Sequence, residues 1–179
     1  MSFTVSGVLD MSSPAAKRSA YADVRARLEA LLAGERDAIA NLAQCAALIQ
    51  QTVPGLNWAG FYLARGEELV LGPFQGKVAC VRIPVGRGVC GTCAATREVQ
   101  IVPDVHAFPG HIACDSASRS ELVLPLTTAG ELLGVLDLDS PEPGRFDAAD
   151  AAGFAALVEV LLSGTDWTGL SRQASTARE

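Results

Sequence analysis

The chain has 179 residues, 49% of them hydrophobic and 19% charged, enough for one domain with a core of its own. Its 14 basic and 20 acidic residues leave a net charge of −6, which repels a phosphate backbone and argues against nucleic acid as a partner. No basic leader stands before an apolar run near Met1, and no apolar run reaches the length of a membrane span, so the chain reads as cytoplasmic with no membrane partner.

The first dozen residues lack periodicity. We expect an N-terminal arm over 1–19, a single domain over 20–170 and a flexible tail over 171–179. From Ala20 to Gln51 the apolar residues recur at helical spacing: Val24, Leu28 and Leu31, then Ile39, Leu42, Ala46 and Ile49. Gly34 is a break point that would divide this run in two. Asn57–Ala64 reads as a strand, Arg65-Gly66-Glu67 as a turn, and Leu69–Gly72 and Val78–Ile83 as two further strands. After the glycines at 86 and 88, Val89–Thr96 reads as a short, closely packed helix and Val99–Val102 as a strand. From Pro103 to Ser120 nothing is periodic, yet this loop holds Asp104, His106, His111, Cys114 and Asp115. A long loop so rich in reactive residues inside a compact domain reads as functional. Glu121–Leu126 and Leu132–Asp139 are strands around a turn at Gly130, and Asp147 caps a last helix over Ala148–Leu162. The order predicts an α+β domain, an antiparallel sheet flanked by helices.

The last hairpin constrains its own register. Leu122, Leu124 and Leu126 share one face, as do Leu132, Gly134, Leu136 and Leu138. These faces coincide only if paired residue numbers sum to an even value such as 260, which predicts Leu122 opposite Leu138, Glu121 opposite Asp139, and a loop of odd length. Glu121, Asp137 and Asp139 then share the other face with Val123, Pro125, Leu133 and Val135. That face is apolar enough to be covered, and carboxylates on a covered face need partners, a ligand or raised pKa values.

The chain holds five cysteines: Cys45, Cys80, Cys90, Cys93 and Cys114. In a reducing compartment they point to redox or metal chemistry rather than to a structural disulfide framework. Cys45 reads as a small core residue. Cys90-x-x-Cys93 lacks the parallel α/β setting and long helix of a thioredoxin-like pair. A zinc module using Cys90, Cys93, His111 and Cys114 has loosely acceptable spacing. In the third reading, Cys90 and Cys114 are redox partners with Cys80 and Cys93 is incidental.

Four segments then bear on the choice: NWAGFYL at 57–63, LVLGPFQGKVACVRIPVGRGVCGT at 69–92, DVHAFPGHIACDSASRSELVLPL at 104–126 and GVLDLDS at 134–140. Together they resemble the free methionine-(R)-sulfoxide reductases, a family of enzymes built on the GAF domain. The resemblance implies a GAF-like fold, reduction of free methionine-(R)-sulfoxide, and no metal or other cofactor. Cys80, Cys90 and Cys114 fall on the family pattern; Cys93 departs from it, where alanine is usual. The chemistry needs a thiolate near the sulfoxide sulfur and an acid near its oxygen. Cys114 is the expected nucleophile, with Cys80 as the first candidate to resolve its sulfenic acid and Cys90 as the second. By resemblance the oxidised enzyme is recycled by thioredoxin or a similar dithiol, and Glu121, Asp137 and Asp139 line the substrate pocket. Either Glu121 or Asp139 would hold the proton offered to the sulfoxide, Asp137 would bind the ammonium, and Trp58 and Tyr62 would wall the S-methyl group. His106 and His111 are as readily loop-ordering residues as catalytic ones. The alternative within this fold is a GAF domain that only binds a small molecule and signals. The oligomeric state stays open, a homodimer included.

Overall fold

The computed structural model describes residues 9–112 and 115–170. Two helices come first, α1 (Pro14–Leu31) and α2 (Ala38–Thr52). The break between them falls at Gly34, as expected, but α1 begins inside the expected arm. Ser13 accepts from the Ala16 backbone N–H and Pro14 occupies the first turn. This start is set by a cap and a proline rather than by apolar spacing, which is why periodicity did not reveal it. The expected tail over 171–179 lies outside the described residues.

A single antiparallel sheet follows. Its strands are β1 (Trp58–Arg65), β2 (Glu68–Gly76), β3 (Arg82–Pro84), β4 (Gln100–Val102), β5 (Ser120–Thr128) and β6 (Glu131–Ser140), in the spatial order β3-β2-β1-β6-β5-β4. The third strand is shorter than expected. Val78 and Val81 are exposed, and residues 77–81 form a loop fastened from below. Trp58 Nε1–H donates to the Lys77 carbonyl at 3.2 Å and Tyr62 O–H to the Cys80 carbonyl at 3.1 Å. Helix α3 (Gly88–Thr96) lies between β3 and β4, one turn of 3-10 helix (Val105–Ala107) sits in the loop before β5, and α4 (Ala148–Gly164) closes the chain. Asp147 caps α4 through the backbone N–H groups of Ala149 and Asp150.

The β5–β6 register is the one that parity requires: Leu122 faces Leu138, Leu124 faces Leu136 and Glu121 faces Asp139. The loop itself differs from expectation. It has two residues, Ala129 and Gly130, both with positive φ (48° and 81°), as a type I′ turn demands. A register shift after Leu126 leaves Leu133 as an extra residue and restores the even sum. A bulge therefore does the work that an odd loop would have done.

The sheet is covered on both faces. Leu122, Leu124, Leu126, Leu136 and Leu138 pack with Ala59, Phe61 and Leu63 of β1 against α1, α2 and α4; the bulge puts Leu133 on this side and sends Leu132 to the other, the reverse of the faces expected for these two. On the other face Trp58, Tyr62, Val123 and Val135 pack with Ile83 and the small residues of α3. Fully burying one such apolar side chain is worth about 1.5–3 kcal/mol, so both layers hold the hairpin in place. Gly60 has a steric reason. A Cβ there would lie 2.3 Å from Phe74 Cβ and 2.6 Å from the Trp58 ring. Its absence lets Trp58 stack on Phe74, with centroids 5.3 Å apart and planes 14° from parallel.

Candidate active site

A narrow pocket of about 30 Å³ opens on the α3 side of the sheet. Three strands and one helix build its floor. Strand alternation sends Glu121 from β5, and Asp137 and Asp139 from β6, to this face. Gly60 of β1 pairs with Asp137, and Trp58 with Asp139. Helix α3 lies across the carboxylates and lowers Cys90 among them. Ile83, Val89 and Ile112 supply apolar wall, and Arg87, His111, Asp115 and Ser118 also line the space.

The carboxylates are crowded, two of them buried and Asp139 half-buried. Glu121 and Asp137 are each 6% exposed. Burial raises Glu121 well above the usual carboxylate range, and the neighbouring charges of Asp137 and then Asp139 push it further. Burial and the charge of Asp137 do the same to Asp139. Asp137 is pushed up by burial only to about 6, since hydrogen bonds from Cys90, Glu121 and the Leu138 backbone favour its charged form. Glu121 is thus tied more closely to Asp137, its diagonal neighbour, than to the cross-strand Asp139 that parity suggested; Asp139 is linked instead to Ser118. Cys90 Sγ–H donates to Glu121 Oε1 at 3.7 Å, and burial holds this thiol protonated far above its ordinary 9.0. His111 Nε2 stands 4.0 Å from Glu121 Oε2. Burial, and then His106, lower the His111 pKa.

Among the expected site residues, the structure brings Glu121, Asp137, Asp139, Cys90 and Tyr62 to one pocket. Trp58 is buried just behind it, stacked on Tyr62 with centroids 5.9 Å apart, and is not part of the pocket lining. Cys80 lies in the fastened 77–81 loop and is disulfide-bonded, whereas Cys45, Cys90 and Cys93 are free. Cys114 lies outside the described residues. The next residue, Asp115, is firmly held: Asn57 Nδ2 donates to it at 3.2 Å and Lys77 Nζ approaches to 3.3 Å. Of the zinc module, the described members Cys90, Cys93 and His111 do not gather into a metal-ligand cluster. Cys93 Sγ is turned away to the Val123 carbonyl at 3.8 Å. Among the described residues, the one cluster with metal-ligand spacing is Cys90, Glu121 and Asp137. Sequence reasoning did not single out Ile83, Arg87, Ile112 and Ser118. Ile83 ends an expected strand and the other three lie in aperiodic stretches; all four reach the pocket only through the tertiary fold.

Residues 25–162 match the GAF domain family, so the antiparallel sheet with helices on both faces is a GAF fold. The chain is 53% identical over 154 residues to the free methionine-R-sulfoxide reductase of Escherichia coli strain K12, covering 84% of this chain and 93% of that protein. It is 45% identical to the free methionine-R-sulfoxide reductase of Saccharomyces cerevisiae, covering 74% and 78%. The X-ray structure of the Neisseria meningitidis free methionine-R-sulfoxide reductase in complex with its substrate superposes with a TM-score of 0.83 at 43% identity, covering 96% of this chain and 99% of that one. This chain belongs to the free methionine-R-sulfoxide reductase family of GAF-domain enzymes.

Proposed function

We propose that the protein reduces free L-methionine-(R)-sulfoxide to methionine in the cytoplasm. The observation that carries this reading is the trio of buried Glu121 and Asp137 and half-buried Asp139 on one covered face, with no lysine or arginine of the described residues bonded to it. Such a site accepts an ammonium and keeps protons in reserve, which an amino-acid sulfoxide needs. Asp137, the least raised of the three, holds the substrate ammonium as a carboxylate. Glu121 or Asp139 stays protonated at neutral pH and donates to the sulfoxide oxygen, making the sulfur electrophilic. The Cys114 thiolate attacks that sulfur, the protonated oxygen passes from the methionine sulfur to Cys114 as the sulfur–oxygen bond breaks, and methionine leaves with Cys114 oxidised to a sulfenic acid. The Cys80 thiol condenses with it, giving a disulfide and water. A dithiol of the thioredoxin class then reduces the enzyme by exchange. The disulfide-bonded state of Cys80, beside the free state of Cys90, supports Cys80 as the resolving residue. Cys90, buried and held as a neutral thiol, is the weaker candidate.

The test is methionine formation from the separated R and S sulfoxides with dithiothreitol as reductant. Turnover confined to the free R epimer is expected, and Cys114→Ser should abolish it. Equal rates on both epimers, or preference for a peptide-bound sulfoxide, would overturn the reading.

A further inference from the structure

The pocket floor carries a donor set that sulfoxide reduction leaves partly idle. The proposed reductase reading gives the redox steps to Cys114 and Cys80, and a third thiol, Cys90, is buried among the carboxylates. Cys90 Sγ, one Glu121 oxygen and one Asp137 oxygen lie within 4.8 Å of one another. The Cys90 Sγ to Glu121 Oε1 distance is 3.7 Å. A tetrahedral zinc with Zn–S of about 2.3 Å and Zn–O of about 2.1 Å sets that edge at about 3.6 Å, so these two donors already stand at coordination spacing. A second observation points to a cation. Asp137 Oδ1 is buried without a hydrogen-bond partner, on a residue that is 6% exposed and lines this pocket. His111, kept neutral by burial, has its Nε2 atom 4.0 Å from the other Glu121 oxygen.

We propose that the floor of this pocket is a binding site for a borderline-soft divalent cation of the zinc class, with Cys90, Glu121 and Asp137 as ligands and His111 in the fourth position, and that cation and amino-acid substrate exclude one another. The exclusion rests on the proposed substrate, because both would take the Asp137 and Glu121 oxygens; the cation site does not. A mixed thiolate, imidazole and carboxylate set favours zinc or cobalt(II) over magnesium. Binding displaces the Cys90 thiol proton and the Glu121 carboxyl proton to solvent, so affinity rises with pH. Around the trio the other titratable groups are Tyr62, Asp139, Cys93, His111, Arg87 and Asp115.

The test uses the oxidised protein, in which Cys80 is disulfide-bonded, so that a reduced Cys80 thiol cannot supply a competing site. Zinc chloride is titrated calorimetrically and cobalt(II) chloride by absorption. One equivalent of each should bind, with proton release and a near-ultraviolet thiolate-to-cobalt band. Cys90→Ala and the more conservative Cys90→Ser should remove the band and weaken binding at least tenfold. Glu121→Gln should weaken it comparably while keeping the band, and Cys93→Ala should change neither. Free methionine should lower the apparent zinc affinity. A band that survives in both Cys90 variants, magnesium bound as tightly as zinc, or no binding to the wild-type protein overturns the site. Zinc affinity indifferent to methionine overturns the exclusion. Turnover enters none of these readouts, so failure of the reductase reading would leave the site standing.

Discussion

The molecule buries acidic side chains in two places, and they are opposites. At the start of α4, Asp150 is fully buried, and its carboxylate meets Lys17 Nζ at 2.6 Å, Tyr21 O–H at 2.7 Å, Arg145 Nη1 at 3.2 Å and the Asp147 backbone N–H at 2.9 Å. Every lone pair has a donor and two of the donors are cations. On the other side of the sheet, Glu121 and Asp137 are also buried and Asp139 is half-buried. Their neighbours are one another, a thiol, Ser118 and a histidine whose pKa is lowered, and one Asp137 oxygen has no partner. Burial of an acid is thus no sign of function by itself. A buried acid left without its counter-charge is, because folding has accepted a cost of desolvation that a ligand must offset.

The sharpest break of this comparison is kinetic. Glu121→Gln and Asp139→Asn should each slow the first chemical step, read as methionine formed in a single turnover, by roughly 10²-fold or more, the scale of losing a positioned acid. Lys17→Met should leave that rate alone. It should instead lower unfolding stability by about 3 kcal/mol in a denaturant titration, since it strips a cation from a buried carboxylate. If Lys17→Met cost activity and Glu121→Gln cost only stability, the roles assigned to the two clusters would be reversed.

Opposite pH responses sharpen the same contrast. Asp137 has a folded pKa of about 6 against an ordinary 3.8. Between those values the folded state binds more protons than the unfolded one, so this group lowers stability as pH rises from about 4 through 6. Asp147, held down to about 2 mainly by Lys17, behaves in the other sense: its contribution is present above about 4 and is lost as pH falls toward 2. Asp137→Asn should therefore gain stability at pH 7, on the order of 2–3 kcal/mol, and flatten the thermal midpoint between pH 4 and 6. The same variant should raise KM for the sulfoxide. A variant less stable at pH 7 than the parent would show that Asp137 has a counter-charge after all. The smallest effect belongs to Cys93, whose thiol donates to the Val123 backbone carbonyl. Cys93→Ser should leave turnover nearly intact, and a catalytic disulfide between Cys90 and Cys93 in mass spectra taken after one turnover would contradict this.

Much of this was written in local pattern. The α+β order, the break at Gly34 and the shared face of Glu121, Asp137 and Asp139 follow from 3.6- and 2-residue periods and from the parity of one hairpin, which act over a few residues. The start of α1 was legible only as Ser13-Pro14, a cap signal without periodicity. Other features were decided at longer range. The Leu133 bulge replaced an odd loop because a two-residue turn with positive φ at Ala129 and Gly130 closes the hairpin more tightly. Val78–Val81 left the sheet because Trp58 and Tyr62 hold that segment by its carbonyls. Above all, no spacing in the chain could tell the acids of the pocket from Asp150. The difference lies in which distant side chains arrive beside each one: Lys17 from α1 and Arg145 from the α4 entry in one case, Cys90 from α3 in the other. Charge compensation in a dry interior is set by three-dimensional neighbours, and only the tertiary structure supplies them.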